Sequence, residues 1–197
     1  MKRITLIMLV FLAAQTTSLI AQTDTDVVNF NAILAEVFDI TVTSGNNQTA
    51  NFDTPTTYNV GIDAVGTSTI TVEATNDWDV QISAPDFTDG GTNIIPINNL
   101  GVWCESTGNN AIGTEVTCAY TTLATCMGLT IADQMLLDHG TGTNAGDALD
   151  NAFNLNWTMG TLNGSMNTAT MLQQVADGTI GAMGTYTTVA TLTLTAE

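Results

Sequence analysis

Basic side chains are all but missing from this 197-residue chain: Lys2 and Arg3 are the only two, against 19 Asp and Glu and a single histidine, His139. From residue 22 onward no Lys or Arg occurs, so all 19 carboxylates there lack a basic side chain to meet them. That excludes a Lys Schiff base, an Arg clamp on phosphate and a Lys-based isopeptide crosslink. It also excludes ordinary electrostatic attraction to nucleic acid or to anionic lipid. Side-chain ion pairs can involve only His139 or a new N-terminus. Cations and salt are the natural counter-charges, and repulsion among the carboxylates favours solubility while opposing compaction.

Other scarcities narrow the chemistry. With one histidine, a Ser–His–Asp hydrolase would have to use His139, yet no G-x-S-x-G elbow is present. In LLDHGTG that histidine is expected where a helix ends, a favourable place for a partly positive ring. Carboxylates sit close in sequence at Asp77 and Asp79, but 19 acids bring such pairs together by chance, and a glycosidase needs a pair flanking a cleft. The sequence therefore predicts no enzyme. Three prolines and three cysteines complete the short supply.

The first 21 residues, MKRITLIMLVFLAAQTTSLIA, have a short basic start, an apolar run from Ile4 to Ala14 and a small-residue end. This is the pattern of a cleavable export signal. The run of about 11 apolar residues is shorter than the roughly 20 that span a bilayer. Residues 22–197 are then a single domain, secreted or at the cell surface, with no transmembrane segment.

Within that domain, Thr69–Ser83 (TITVEATNDWDVQIS) alternates most strictly. Ile70, Val72, Ala74, Trp78, Val80 and Ile82 share one parity, and polar residues hold the other. A period of two predicts strands with one buried face. A β-hairpin with the loop Thr75–Asp77 is expected, setting Ala74 against Trp78, Val72 against Val80 and Ile70 against Ile82.

Alternation recurs through Phe30, Ala32, Leu34, Phe38, Ile40 and Val42, through Phe153, Leu155 and Trp157, and in the closing GTYTTVATLTLTAE. Extended segments are also expected at 93–97, at 100–106 and in EVTCAYT. Residues 50–62, with Pro55, read as a short irregular edge strand or loop. Two short helices are expected, IADQMLLDH capped by Thr130 and ATMLQQVAD capped by Thr168 or Thr170, the second ended by Gly178. The fold class is all-β: an antiparallel immunoglobulin-like β-sandwich with one or two short helices in its connections.

Candidate sites follow from residue type. Cys104, Cys118 and Cys126 allow three pairings in an exported chain. Pairing Cys104 with Cys118 also sets Val102 against Tyr120, with all four on one face, and is the preferred bridge. Calcium takes oxygen ligands from acidic loops, and Asp86, Asp89, Asp147 and Asp150 are the candidate ligands, although no EF-hand loop is present. Trp78 and Trp157 lie on apolar faces and are expected in the core. Trp103 has the opposite parity to Val102 and Cys104, which makes it the candidate ligand contact, suited to stacking on a sugar ring.

The export signal, the leading extended segment, TSTITVEATNDWDVQIS and the final GTYTTVATLTLTAE together resemble exported bacterial β-sandwich surface proteins. The nearest patterns are WxL-like cell-surface domains and fimbrial or spore-coat-type subunits. Together with the export signal and the absence of a catalytic set, this implies a non-enzymatic structural or adhesive surface protein, self-assembling through its terminal segments. Its expected partners are like subunits, or glycans and proteins of the cell surface. A glycan-binding module using Trp103 and calcium is the alternative.

Overall fold

The computed structural model describes residues 29–197; the export signal expected at 1–21 lies outside them, as does the start of the extended run expected from Val27. The chain divides into two units, one ending at Leu34 and the other running from Ala35 to Glu197. In the first, residues 29–34 follow no regular structure, although their alternation predicts a strand. Phe30, Ile33 and Leu34 there are 90, 95 and 91% exposed. Alternation without a surface to cover one face does not hold a strand.

The second unit is an antiparallel β-sandwich. Its strands are β1 (Phe38–Ser44), β2 (Ile62–Ala74), β3 (Trp78–Ser83), β4 (Phe87–Thr88), β5 (Ile94–Ile95), β6 (Leu100–Ser106), β7 (Val116–Thr117), β8 (Met127–Gly128), β9 (Gln134–His139), β10 (Ala152–Met159) and β11 (Thr191–Ala196). One sheet has the order β1-β2-β10-β6-β8, the other β11-β3-β9-β7, and β4 and β5 form a separate ribbon. One continuous core joins the two sheets: Ile70 and Val72 of β2, Phe153 and Leu155 of β10, and Val102 of β6 meet Trp78, Val80 and Ile82 of β3 and Leu136 and Leu137 of β9.

The expected hairpin does not form. Every inward residue of Thr69–Ser83 is buried as its parity requires, but β2 and β3 belong to different sheets. Residues 75–77 carry the chain across the sandwich instead of back along it. Alternation fixes which way side chains point, and a three-residue crossing preserves that parity as well as a three-residue hairpin does. The crossing is chosen because other segments meet its backbone. Ala74 bridges Gly146, Thr75 N–H donates to the Val37 carbonyl at 3.1 Å, and Glu197 N–H donates to the Asp77 carbonyl at 3.0 Å.

The helices also differ from expectation. α1 (Pro55–Val60) occupies the stretch read as strand or loop: Thr54 caps it in a capping box with Thr57, and Pro55 stands at its first turn. Proline there costs nothing, because the first N–H groups of a helix have no intrahelical partner. α2 (Met171–Ala176) is the expected second helix, capped by Thr170, and Gly178 follows it with φ of 78°. The other expected helix is strand β9. Thr130 closes a tight loop in place of a cap, its N–H donating to Gln134 Oε1 at 2.9 Å, and Leu136 and Leu137 are drawn into the core. Tertiary burial outweighs local propensity at this point. Among the described residues, no helix is long and apolar enough to cross a membrane.

Candidate functional site

A cleft of about 470 Å³ opens beside the sandwich, over a second, smaller core of Ile95, Met159, Met171 and Ile180. Each wall comes from a separate local cause. The α1 cap places Tyr58 against Phe52, ring centroids 5.5 Å apart and tilted by 56°. The β4–β5 ribbon brings Phe87 opposite Ile95, and a bridge from Thr88 to Thr187 holds Tyr186 nearby. α2 supplies Met171 to the cleft lining. That helix is fixed from within by two buried amides: Asn99 Nδ2 donates to Gln174 Oε1 at 2.9 Å and Gln174 Nε2 donates to Asn99 Oδ1 at 2.7 Å. The sequence marked none of these residues as a site. The cleft's four aromatics, Phe52, Tyr58, Phe87 and Tyr186, are scattered along the chain and carry no periodic signal, and of its walls only helix α2 with its Thr170 cap was legible.

A second cluster lies at the acidic corner where β3, β9 and the last residue meet. Asp79, Asp138 and Glu197 each turn a carboxylate oxygen to within 4.8 Å of the others. Asp79 Oδ1 accepts from His139 N–H at 2.8 Å, and the His139 ring faces Asp77, Nε2 to Oδ2 3.4 Å. Asp77 Oδ1 accepts the Thr143 hydroxyl at 2.6 Å and Asn144 N–H at 2.9 Å. The Thr143 hydroxyl bond, with the backbone donors, holds Asp77 below the usual carboxylate range. Burial first, and then the neighbouring Asp79, push Asp138 above it. Three crowded carboxylates can share a proton or meet a hard cation. His139 therefore lies on a strand beside acids and not at a helix end.

The four loop acids expected to hold calcium do not gather into this set. Asp86 accepts Ile97 N–H at 2.8 Å. Asp89 accepts Gly91 N–H at 2.8 Å and Asn93 Nδ2 at 2.6 Å. Asp147 accepts Leu149 N–H at 2.8 Å, and Asp150 accepts Asn109 Nδ2 at 3.0 Å. Asp86, Asp89 and Asp147 each bond within their own connection, and Asp150 ties its loop to that of Asn109.

Trp78 and Trp157 are in the core, as parity predicts, and Trp103 is half-buried on the outer side of β6. Beside it, Asn156 is its register partner on β10. Asn156 Nδ2 donates to Glu105 and Oδ1 accepts the Thr67 hydroxyl at 2.7 Å.

Cys104, Cys118 and Cys126 are all free thiols, so the Cys104–Cys118 bridge is not formed in this structure. The Cys118 side chain first, and then burial, raise Cys104, and the Cys104 side chain lowers Cys118. Cys104 N–H donates to the Tyr120 carbonyl at 2.7 Å, so Tyr120 sits opposite Cys104. The expected pairing with Val102 is corrected: Met127 of β8 takes that place. Cys126 is fully buried, and burial pushes its thiol up to about 11.

No protein-family model and no curated protein matches this chain.

Proposed function

We propose that this is an exported, non-enzymatic surface protein that acts as a structural or adhesive subunit and associates with copies of itself. One observation carries the reading: Phe30, Ile33 and Leu34 are almost wholly in water immediately before the edge strand β1. Covering such a side chain is worth about 1.5–3 kcal/mol, so a stretch with three of them favours a partner surface. Extended backbone of this kind can add to the edge of a neighbour's sheet, and β1, β8, β11 and β7 are the edges on offer. Deleting residues 22–35 is the test: assembly should be lost, and a truncated protein that forms the same oligomers would refute strand addition from this arm.

Export to an oxidising compartment adds a covalent step. Cys104 and Cys118 each give up a thiol proton as an external disulfide is reduced to two thiols, and an S–S bond joins them. Tyr120 supports this pairing among the three that are open: its carbonyl accepts Cys104 N–H at 2.7 Å and its own N–H donates to Cys118 Sγ at 3.4 Å.

A second reading rests on Trp103. Its ring, with Asn156 and Glu105 alongside, provides a stacking surface flanked by hydrogen-bonding groups, which suits a neutral glycan. A glycan array with wild type and Trp103→Ala tests it; a flat array with both removes it.

A further inference from the structure

The cleft at Phe52, Tyr58 and Tyr186 has a chemistry of its own, independent of assembly. Its volume of about 470 Å³ lies within the range of ligand sites. Its walls are aromatic rings and thioethers, and several of its obvious donors already serve the protein. The Tyr58 hydroxyl donates to Met183 Sδ at 3.2 Å, the Tyr186 hydroxyl to the Ala182 carbonyl, and the Gln48 amide to the carbonyls of Gly45 and Thr67. Beside the hydroxyls and amide of Thr49, Asn51, Thr185 and Thr187, the cleft presents to a ligand its rings and the exposed carboxylate of Asp53. Burial first, and then the charge of nearby Asp89, push the Tyr186 hydroxyl up.

Ring faces carry negative charge density, and a cation over them is attracted most where water is excluded. Opposing positive charge is absent too, since no Lys or Arg follows Arg3. An anion therefore meets no basic side chain, and a cation is drawn by the whole molecule's field. A compact ammonium such as a lysine head is strongly hydrated and needs several oxygen acceptors. A methylated ammonium sheds water easily and tolerates walls of carbon and sulfur.

We propose that this cleft binds a small quaternary ammonium ion of the choline class, with Phe52, Tyr58 and Tyr186 as its aromatic walls and Asp53 as its counter-charge.

The test is a titration of the chain of residues 22–197, followed by NMR at constant ionic strength, with choline chloride and with its uncharged carbon isostere 3,3-dimethylbutan-1-ol. Choline should bind saturably, with shifts centred on the cleft and an affinity about tenfold above that of the isostere. Tyr186→Leu should weaken it. Asp53→Asn alters an exposed side chain and tests the charge without endangering the fold; it should lower the affinity about threefold or more. Phosphocholine should bind less well than choline, because no basic side chain meets its phosphate. Equal affinity for the isostere overturns the proposal. So do unsaturable shifts spread over the acidic surface, an unchanged affinity in Asp53→Asn, displacement of choline by glucose, or tighter binding of phosphocholine or of phosphatidylcholine vesicles than of choline.

Discussion

Trp78 and Phe153 meet edge to face across the two layers of the sandwich, ring centroids 6.0 Å apart and planes at 76°. Each belongs to a different sheet, and both are fully buried. The contact is thus a direct tie between β3 and β10, and it replaces the within-sheet pairing that the alternation of Thr69–Ser83 suggested. Phe153→Ala should destabilise the fold by about 3–5 kcal/mol. Urea unfolding of Trp78→Leu, Phe153→Leu and the double variant should show a coupling of about 0.5–1.5 kcal/mol. Strict additivity would mean that the rings contribute only area.

Asn144 holds Trp78 from the other side. Its Oδ1 accepts Trp78 N–H at 3.0 Å, its Nδ2 donates to the Trp78 carbonyl at 2.7 Å, and its own carbonyl accepts the indole N–H at 2.7 Å. One fully buried amide thus acts as the strand partner that Trp78 lacks there. Asn144→Ala would orphan a buried donor and a buried acceptor, each at about 1–3 kcal/mol. The expected loss, by chemical denaturation, is about 2 kcal/mol or more.

Two neighbouring acids have opposite effects on stability as pH changes. Asp77 titrates below its ordinary 3.8, so its contribution is present above that pH and is lost as pH falls through the lowered value. Asp138 titrates above 3.8, so its contribution is complete below 3.8 and is lost as pH rises through the raised value. Asp138→Asn should therefore raise the melting temperature at pH 7, with the gain shrinking towards pH 3.8. Asp77→Asn should lower it at pH 7. Thermal melts between pH 3 and 8 check both signs.

Produced in an oxidising compartment, the protein should expose one titratable thiol per chain after denaturation without reductant, that of Cys126, and three after reduction. Mass spectrometry should place the S–S link between Cys104 and Cys118. Three free thiols without reductant would contradict the pairing.

Within the sandwich, the direction of side chains was legible in this sequence and their partnership was not. The parity of β2, β3 and β10 placed Trp78, Val80, Ile82, Phe153 and Trp157 in the core, and the parity of Trp103 placed it at the surface, because side-chain direction is a local property of a strand. Whether Thr75–Asp77 turns back or crosses over depends on Val37, Gly146 and Glu197, which are remote in sequence. β9 was misread for a similar reason: ADQMLLDH suits a helix until β3 and β7 stand on either side of it. The cleft was invisible because Phe87 and Tyr186 are brought together by the β4–β5 ribbon and the Thr88–Thr187 bridge, and Phe52 joins them through its contact with Tyr58 of α1.

The measurement closest to the central claim is electron microscopy of the purified chain of residues 22–197, beside a chain that starts at Glu36. Ordered oligomers or filaments in the first and dispersed particles in the second are the predicted result. Uniform monomers from the longer chain, at concentrations where an exposed Phe30, Ile33 and Leu34 would find a partner, would contradict it.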